Sequence, residues 1–371
     1  MPIIPLYGHD ALRRRLQHAV ERGSLPASLL LHGPRGIGKQ RLALWLGQLL
    51  LCLKKADGDG DGEEKLERPC GKCASCRYAL QLAHPDLRWF FPRPRSTDAD
   101  PTPREVLDDY AEACGERAAG HGLYPPPSGL EGIFISAVRA LVQHAAYTPT
   151  VSKRKVILVG DAERMVPQES SPEAANAFLK LLEEPPADTT IILTTSEPGA
   201  LLPTIRSRVV AQRVAPLAER DVRAWLADPA VREALDGSEA PKEKNKGEAA
   251  RVELAAGAPG TLLAASSRDD ALAAARALLD ASTADRATQL RTIFALGGSK
   301  ARGFFADTLD ALTALLHQRA REAVTHNDPY RAAAAGRAID AVQVTRQRTA
   351  GNLNPQLLGA ALVAQLQRTL G

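Results

Sequence analysis

SLLLHGPRGIGK, residues 28–39, is the stretch that decides the fold. Ser28–His32 is a short apolar run that opens directly into Gly33-Pro34-Arg35-Gly36-Ile37-Gly38-Lys39. That heptapeptide fits G-x-x-x-x-G-K, the phosphate-binding loop. Arg41–Leu53 then places apolar residues at helical spacing, so the whole reads strand, loop, helix. Glycines at both ends let backbone N–H groups close round a polyphosphate, the helix N-terminus favours its charge, and Lys39 reaches the outer phosphates. Gly33, Arg35, Gly36, Ile37, Gly38, Lys39 and Gln40 are therefore the candidate nucleotide-binding residues. The position after the lysine normally carries the Ser or Thr hydroxyl that binds Mg²⁺, and here it is Gln40. A nucleotide loop is expected, with its metal chemistry impaired.

Outward from the loop, apolar runs alternate with helical patterns. Lys155–Gly160 (KVILVG) and Thr190–Thr194 (TIILT) read as buried parallel strands. Between them Ala174, Phe178, Leu181 and Leu182 fall at helical spacing, and Pro185-Pro186 stops that helix. Ile135–Gln143 is a further helix. Strand–helix–strand alternation implies a doubly wound α/β domain over residues 1–213. Residues 93–132, bracketed by prolines and with little pattern, read as a mobile insertion. After Pro216 the strand signal ends. Helices are expected at Glu219–Leu226 and Glu248–Ala256, around a Lys/Glu/Gly-rich loop at 236–247, making a small helical domain over 214–266. Residues 267–371 read as alanine-rich amphipathic helices, clearest at Phe304–Val324, Tyr330–Thr345 and Pro355–Leu370.

The end of the strand Lys155–Gly160 carries Asp161-Ala162-Glu163. A working ATPase of this build has an acid pair there, Asp for Mg²⁺ and Glu to activate water. Asp161 is in place, but Ala162 stands where the Glu belongs, and Glu163, one residue late, is expected on the other side of the chain. Thr194 and Thr195 end the next strand, where a hydroxyl either senses a terminal phosphate or caps a turn.

The composition is that of an ordinary soluble chain: 371 residues, 24% charged, 44% hydrophobic, net charge +4. The length argues for two or three domains. The small charge excess does not announce a nucleic-acid binder, and 4% aromatic residues argue against an aromatic-lined groove for single strands or sugars. No stretch approaches the roughly 20 apolar residues of a membrane span, and Met1–Asp10 does not read as a signal peptide. Cys52, Cys70, Cys73 and Cys76 form C-x17-C-x2-C-x2-C, a knuckle over residues 52–76 whose four thiolates suit one structural Zn²⁺ in a reducing cytoplasm. His84 could substitute for one ligand, but four cysteines already satisfy the site, and Cys114 reads as a spectator.

These residues together resemble a known family. LLLHGPRGIGK (29–39), the Cys cluster, AHPDL (83–87), ANAFLKLLEEPP (175–186), LTTSEP (193–198), LLPTIRSR (201–208) and NLNPQLL (352–358) closely resemble the delta-prime family of bacterial DNA polymerase III clamp-loader subunits. The resemblance implies an α/β AAA+ P-loop domain, a small helical lid and a C-terminal all-helical collar. It also implies a hetero-oligomeric ring with gamma/tau and delta subunits that acts on a sliding clamp and primer–template DNA, with no membrane partner. The family's Ser-Arg-Cys motif matches Ser207-Arg208, with Val209 in place of Cys, so Arg208 takes the role of an arginine finger acting on a neighbour's ATP. No sensor arginine appears at Gly257-Ala258-Pro259-Gly260. Three readings follow: a non-hydrolysing stator to which ATP at most binds, an ATP-hydrolysing gamma/tau-type motor, and a P-loop kinase of a small molecule. Gln40, Ala162 and the missing sensor arginine favour the first.

Overall fold

The computed structural model describes residues 2–54, 69–98, 100–127, 131–165, 172–238, 248–296, 301–349 and 354–370. The middle of the cysteine knuckle (55–68), most of the 236–247 loop and the start of NLNPQLL lie outside the described residues. Two compact units divide the chain, one spanning residues 1–127 and 131–263 and the other taking in 264–371.

Five parallel strands build the first unit: β1 (Ser28–His32), β2 (Leu87–Phe90), β3 (Lys155–Val159), β4 (Thr189–Thr195) and β5 (Val210–Arg213), in the order β2-β3-β4-β1-β5. β1 lies between β4 and β5, with Leu30 opposite Leu193 and Ala211. β3 and β4 are buried along their whole length, as near-continuous apolar runs require when helices cover both faces. The three strands legible in the sequence are β1, β3 and β4. β2 is only four residues long and β5 is largely exposed, so neither has an apolar run to betray it.

Helices in this unit are α1 (Asp10–Glu21), α2 (Lys39–Leu51), α3 (Ala74–Leu80), α4 (Pro103–Ala119), α5 (Ile135–Ala146), α6 (Pro172–Glu183) and α7 (Pro203–Arg206). α2 buries Leu42, Ala43, Leu46 and Leu49 completely, so the helix that leaves the phosphate loop is a core element. After β5 come α8 (Glu219–Ala227), α9 (Pro229–Ser238), α10 (Glu248–Ala255) and a 3₁₀ turn, Pro259–Ala264. Val222, Trp225, Leu226, Val231, Leu235 and Val252 hold these together in a cluster of their own, to which Ile4 contributes from the N-terminus. The arrangement is a parallel-sheet α/β domain followed by a small helical cluster, the lid.

The second unit is all helix: α11 (Ala265–Ala281), α12 (Arg286–Ala295), α13 (Ala301–Thr325), α14 (Pro329–Thr349) and α15 (Pro355–Leu370). Phe305, Leu309, Leu312 and Leu316 recur at three- and four-residue steps along α13 and bury against Ile339 and Val342 of α14 and Leu358, Leu362 and Leu366 of α15.

Residues 93–132 depart from the patternless insertion expected of them. They carry α4, opened by a reciprocal capping box in which Thr102 accepts from the Glu105 backbone N–H and Glu105 accepts from that of Thr102, with Pro103 in the first turn. Val106, Tyr110, Ala113, Cys114 and Ala118 of α4 are buried in the core of the α/β layer. The helix is weakly amphipathic because much of its buried face is alanine, tyrosine and cysteine, and the flanking prolines mask it.

AHPDL explains how β2 and β3 are pinned. Asp86 accepts three backbone N–H groups, from Thr150 (2.6 Å), Val151 (2.8 Å) and Ser152 (2.7 Å). Burial opposes its ionisation, but those three donors outweigh it and hold the carboxyl below its ordinary value. With hydrogen bonds to a charged group worth about 1.5–3 kcal/mol each and not additive, Asp86→Ala should lower stability by about 2–4 kcal/mol, read as the urea midpoint at pH 7. Asp86→Asn, which keeps one accepting oxygen, should lose less. A depressed carboxyl stabilises above its unfolded value near 3.9 and that contribution disappears as pH falls through the folded value, so the gap between wild type and Asp86→Asn should narrow below about pH 3. Equal midpoints at pH 7 would show that the three bonds do not matter.

Candidate functional site

The turn from β1 into α2 is closed so tightly that glycine is required at two contacts. A Cβ on Gly33 would lie 2.3 Å from the Val214 carbonyl oxygen, and one on Gly36 would lie 2.7 Å from the Thr261 backbone nitrogen. Gly36 (φ 74°) and Gly38 (φ 88°) also occupy the left-handed region, Gly38 as the N-cap of α2. Ile37 is fully buried, and its carbonyl accepts from His9 Nε2 at 2.8 Å, which places the proton on that nitrogen. The Lys39 ammonium donates to the Gly33 and Pro34 carbonyls (2.9 and 2.7 Å) and to Ser196 Oγ (2.9 Å). Burial lowers its pKa to about 8, against the opposing pull of Asp161 and Glu163 and with the help of Arg35. Arg35 pairs with Glu197 at 3.0 Å, while Thr195 Oγ1 accepts from the Glu197 backbone N–H at 3.0 Å. Thr194 Oγ1 accepts from the Asp161 N–H at 3.2 Å, so in this structure both strand-end hydroxyls act as turn caps. A cleft runs along this loop, lined by the apolar Tyr7, Leu217, Trp225 and Leu263 and by the polar Lys39, Gln40 and Asp161. The lid reaches the loop directly, for Gly260 donates to the Gly36 carbonyl at 2.9 Å.

Gln40 fills the corner beside Asp161. Its Nε2 donates to Asp161 Oδ2 at 2.8 Å, and its Oε1 accepts from the Trp89 indole at 3.1 Å. Asp161 itself sits at φ 48°, and a 3₁₀ turn follows at Ala162–Arg164. That break in strand geometry corrects the expected placing of Glu163. Instead of pointing away, Glu163 lines the cleft and accepts from the Ser196 N–H at 3.0 Å. Burial, then Asp161, raises its pKa and so favours the neutral acid. Ala162 is buried.

Sequence reasoning did not find the aromatic box behind this corner. Arg117 of α4 places its guanidinium carbon 3.3 Å from the Phe91 ring centroid, 3.8 Å from Tyr124 and 4.4 Å from Trp89. In a chain with 3 Trp, 7 Phe and 6 Tyr, the run Trp89-Phe90-Phe91 was the available signal.

The four cysteines converge. Their Sγ atoms all lie within 4.8 Å of one another, with Cys52–Cys70 at 3.6 Å and Cys70–Cys76 at 3.9 Å, and all four are free thiols. Sulfurs held about 2.3 Å from one tetrahedral ion lie roughly 3.8 Å apart, so these residues fit a metal. Backbone N–H groups of Cys73 and Cys76 donate to Cys70 Sγ and Cys73 Sγ, both at 3.4 Å. Burial resists ionisation of Cys70, yet hydrogen bonds from the Cys73 and Lys72 backbone and from neighbouring thiols bring its pKa to about 6. His84 is not among the ligands. Its Nδ1 accepts from the Asp86 N–H at 3.0 Å, and its Nε2 therefore donates to Ser75 Oγ at 2.8 Å. Cys114 lies apart from the cluster, buried in α4's inner face.

Arg208 stands away from the loop, just before β5. Its Nε donates to Glu183 Oε1 at 2.6 Å and one terminal nitrogen to the Thr204 carbonyl at 2.8 Å. The side chain is 28% exposed, and its neighbour Arg206 is exposed.

The family model described as DNA polymerase III, delta subunit, matches residues 8–218. The delta' subunit of Pseudomonas aeruginosa is 33% identical over 198 residues, 53% of this chain and 44% of that protein. The Escherichia coli K12 delta' subunit is 29% identical over 237 residues, 64% of this chain and 53% of that protein. A gamma/tau subunit of Mycobacterium tuberculosis H37Rv is 30% identical over 220 residues, 59% of this chain and 30% of that protein. The chain thus spans about half, or less, of the length of the curated relatives it matches. With its phosphate loop, parallel sheet and lid all inside or adjoining the matched residues, the chain belongs to the DNA polymerase III delta-subunit family and is of the delta' type.

Proposed function

We propose that this chain is a non-hydrolysing stator of the DNA polymerase III clamp loader. In that role it sits with gamma/tau and delta subunits in a cytoplasmic ring that places the sliding clamp on primer–template DNA, and it lends Arg208 to the neighbouring motor's ATP. The observation that carries the reading is Gln40. Where a P-loop ATPase needs a hydroxyl for Mg²⁺, this chain has an amide whose N–H already engages Asp161, the carboxylate on which the metal would depend. Ala162 supplies no base, and Glu163, although it faces the cleft, is held by the Ser196 N–H in surroundings that favour its neutral form. Glu163 is also the one feature that favours the alternative, a gamma/tau-type motor, since a carboxyl at the cleft wall is what a motor would use to orient water.

A finger must be displayed where a neighbour can reach it. Arg208 is part-exposed, on the segment between α7 and β5, far along the chain from its own loop, and a guanidinium offers paired donors to a γ-phosphate's oxygens. The four cysteines are read as a closed, structural Zn²⁺ site: Cys70 and Cys76, each separated from Cys73 by two residues, form the knuckle with it, and Cys52 anchors it to the end of α2.

Steady-state ATP hydrolysis by the pure chain should fall far below the ~1 s⁻¹ at the low end of ordinary enzymes. Turnover near that value, abolished by Lys39→Ala, would replace the stator by the motor. Metal analysis should give one equivalent of zinc per chain, lost in Cys73→Ser along with protease resistance around residues 69–80. Purified chain with far less than one equivalent, never exposed to chelator, would end the zinc assignment. In rings rebuilt with Arg208→Ala, DNA-stimulated ATP hydrolysis should drop in part, because one site loses a group worth about 10³–10⁵ while the others keep theirs. Arg206→Ala should behave as wild type. The reverse pattern would move the finger to Arg206, and no effect from either would leave a solvated basic edge.

A further inference from the structure

Mg²⁺, the ion a phosphate loop of this build employs, does not fit the residues present. The orientation of the Gln40 amide is dictated by its partners. An indole N–H can only donate and an ionised carboxylate can only accept, so Oε1 must face Trp89 and the NH₂ must face Asp161. A cation beside Asp161 would meet an N–H donor where it needs an oxygen. Turning the amide over to offer its oxygen would set that oxygen against the carboxylate and the NH₂ against the indole N–H, replacing two hydrogen bonds by two repulsions.

The corner is built to keep this arrangement. Gly160 makes room for the amide, because a Cβ there would fall 2.3 Å from Gln40 Oε1. Trp89 is fixed in turn by Phe91 and Tyr124, with ring centroids 4.9 and 5.6 Å away, and by the Arg117 guanidinium over its ring. α4, the helix that supplies Arg117, thus braces the residue that orients Gln40. Positive charge is nonetheless present at the cleft in Lys39 and Arg35, and the loop retains its left-handed glycines.

We propose that the cleft takes a nucleoside polyphosphate without a divalent cation, Gln40 standing where the metal would be and Lys39 and Arg35 supplying the charge. This rests on reading the cleft as a nucleotide site without turnover, and it adds the chemical form of the ligand. It also assigns Gln40, Trp89 and Arg117 as positioning residues for a metal-free site.

The test is equilibrium binding of a fluorescent probe, methylanthraniloyl-ADP, to the full chain in excess MgCl₂ and in EDTA. The expected result is an affinity in EDTA equal to or tighter than in magnesium. Gln40→Thr, which restores a hydroxyl and frees Asp161, should make magnesium tighten the probe by about tenfold, a shift of about 1.4 kcal/mol. Trp89→Phe, which releases the amide oxygen while keeping Gln40, should show a smaller effect of the same sign and stands in if Gln40→Thr fails to fold. Wild-type binding tightened tenfold or more by magnesium would overturn the proposal, and so would no probe binding in either buffer. That second outcome leaves the stator reading intact, since lending Arg208 requires no nucleotide here. A magnesium effect unchanged from wild type in both variants would remove Gln40 and Trp89 from the role.

Discussion

Everything in the first unit that bears on nucleotide depends on how closely the β1–α2 turn is approached by the chain around it. Val214, just past β5, brings its carbonyl to where a Gly33 Cβ would be, and the lid's Thr261 does the same at Gly36. Gly260 adds a hydrogen bond to the Gly36 carbonyl. Sheet edge, loop and lid therefore share one set of backbone contacts. A side chain at Gly33 or Gly36 would have to move another backbone, which close-packed interiors do not allow cheaply.

On that frame the corner beside Asp161 is held by hydrogen-bond polarity. Asp161 is retained, so the acidic strand end survives as a structural acceptor. Its partner at position 40 is an amide, whose Nε2 donates to Oδ2 at 2.8 Å, where a hydroxyl able to share an ion would otherwise stand. Buried donors and acceptors favour such closed sets, because a half-satisfied one costs more than an apolar replacement. Glu163 is satisfied only in part: Oε1 accepts from the Ser196 N–H just past β4, and Oε2 is buried without a hydrogen bond.

The parts legible in the sequence were those written in short-range code. G-x-x-x-x-G-K, the cysteine spacing and the apolar runs of β1, β3 and β4 each specify local geometry, and the structure has the loop, the four converging thiols and the buried strands. The parts that were not legible depend on contacts between distant segments. Arg117 is 28 residues from Trp89, and nothing in its own neighbourhood marks it as a cation destined for an aromatic box. α4 was masked by its prolines and its small buried residues. Glu163 was misplaced because alternation along a strand was extended one residue past where it holds, and the left-handed backbone at Asp161 turns the chain. His84, near the knuckle in sequence but not needed by a site that four cysteines already fill, is employed between Asp86 and Ser75.

On the proposed reading Arg208 is a cation kept for a neighbour, and the structure shows how its own chain holds it. Its partner Glu183 is 47% exposed and Arg208 itself 28%, so this is a pair at the protein surface. Such pairs typically contribute only about 0–1 kcal/mol, because water and salt screen them and two side chains must be ordered to form them. The pair thus fixes the direction of the guanidinium without binding it firmly. A terminal phosphate carries more charge than one carboxylate and presents its oxygens to the same paired donors. On the finger reading, a neighbour's nucleotide would compete with Glu183 for the same donors. A fully buried partner would have held the arginine as part of the core, and an unpaired arginine would have lost its orientation. A weak, exposed carboxylate at the end of α6 does neither, which is the condition a borrowed cation has to meet.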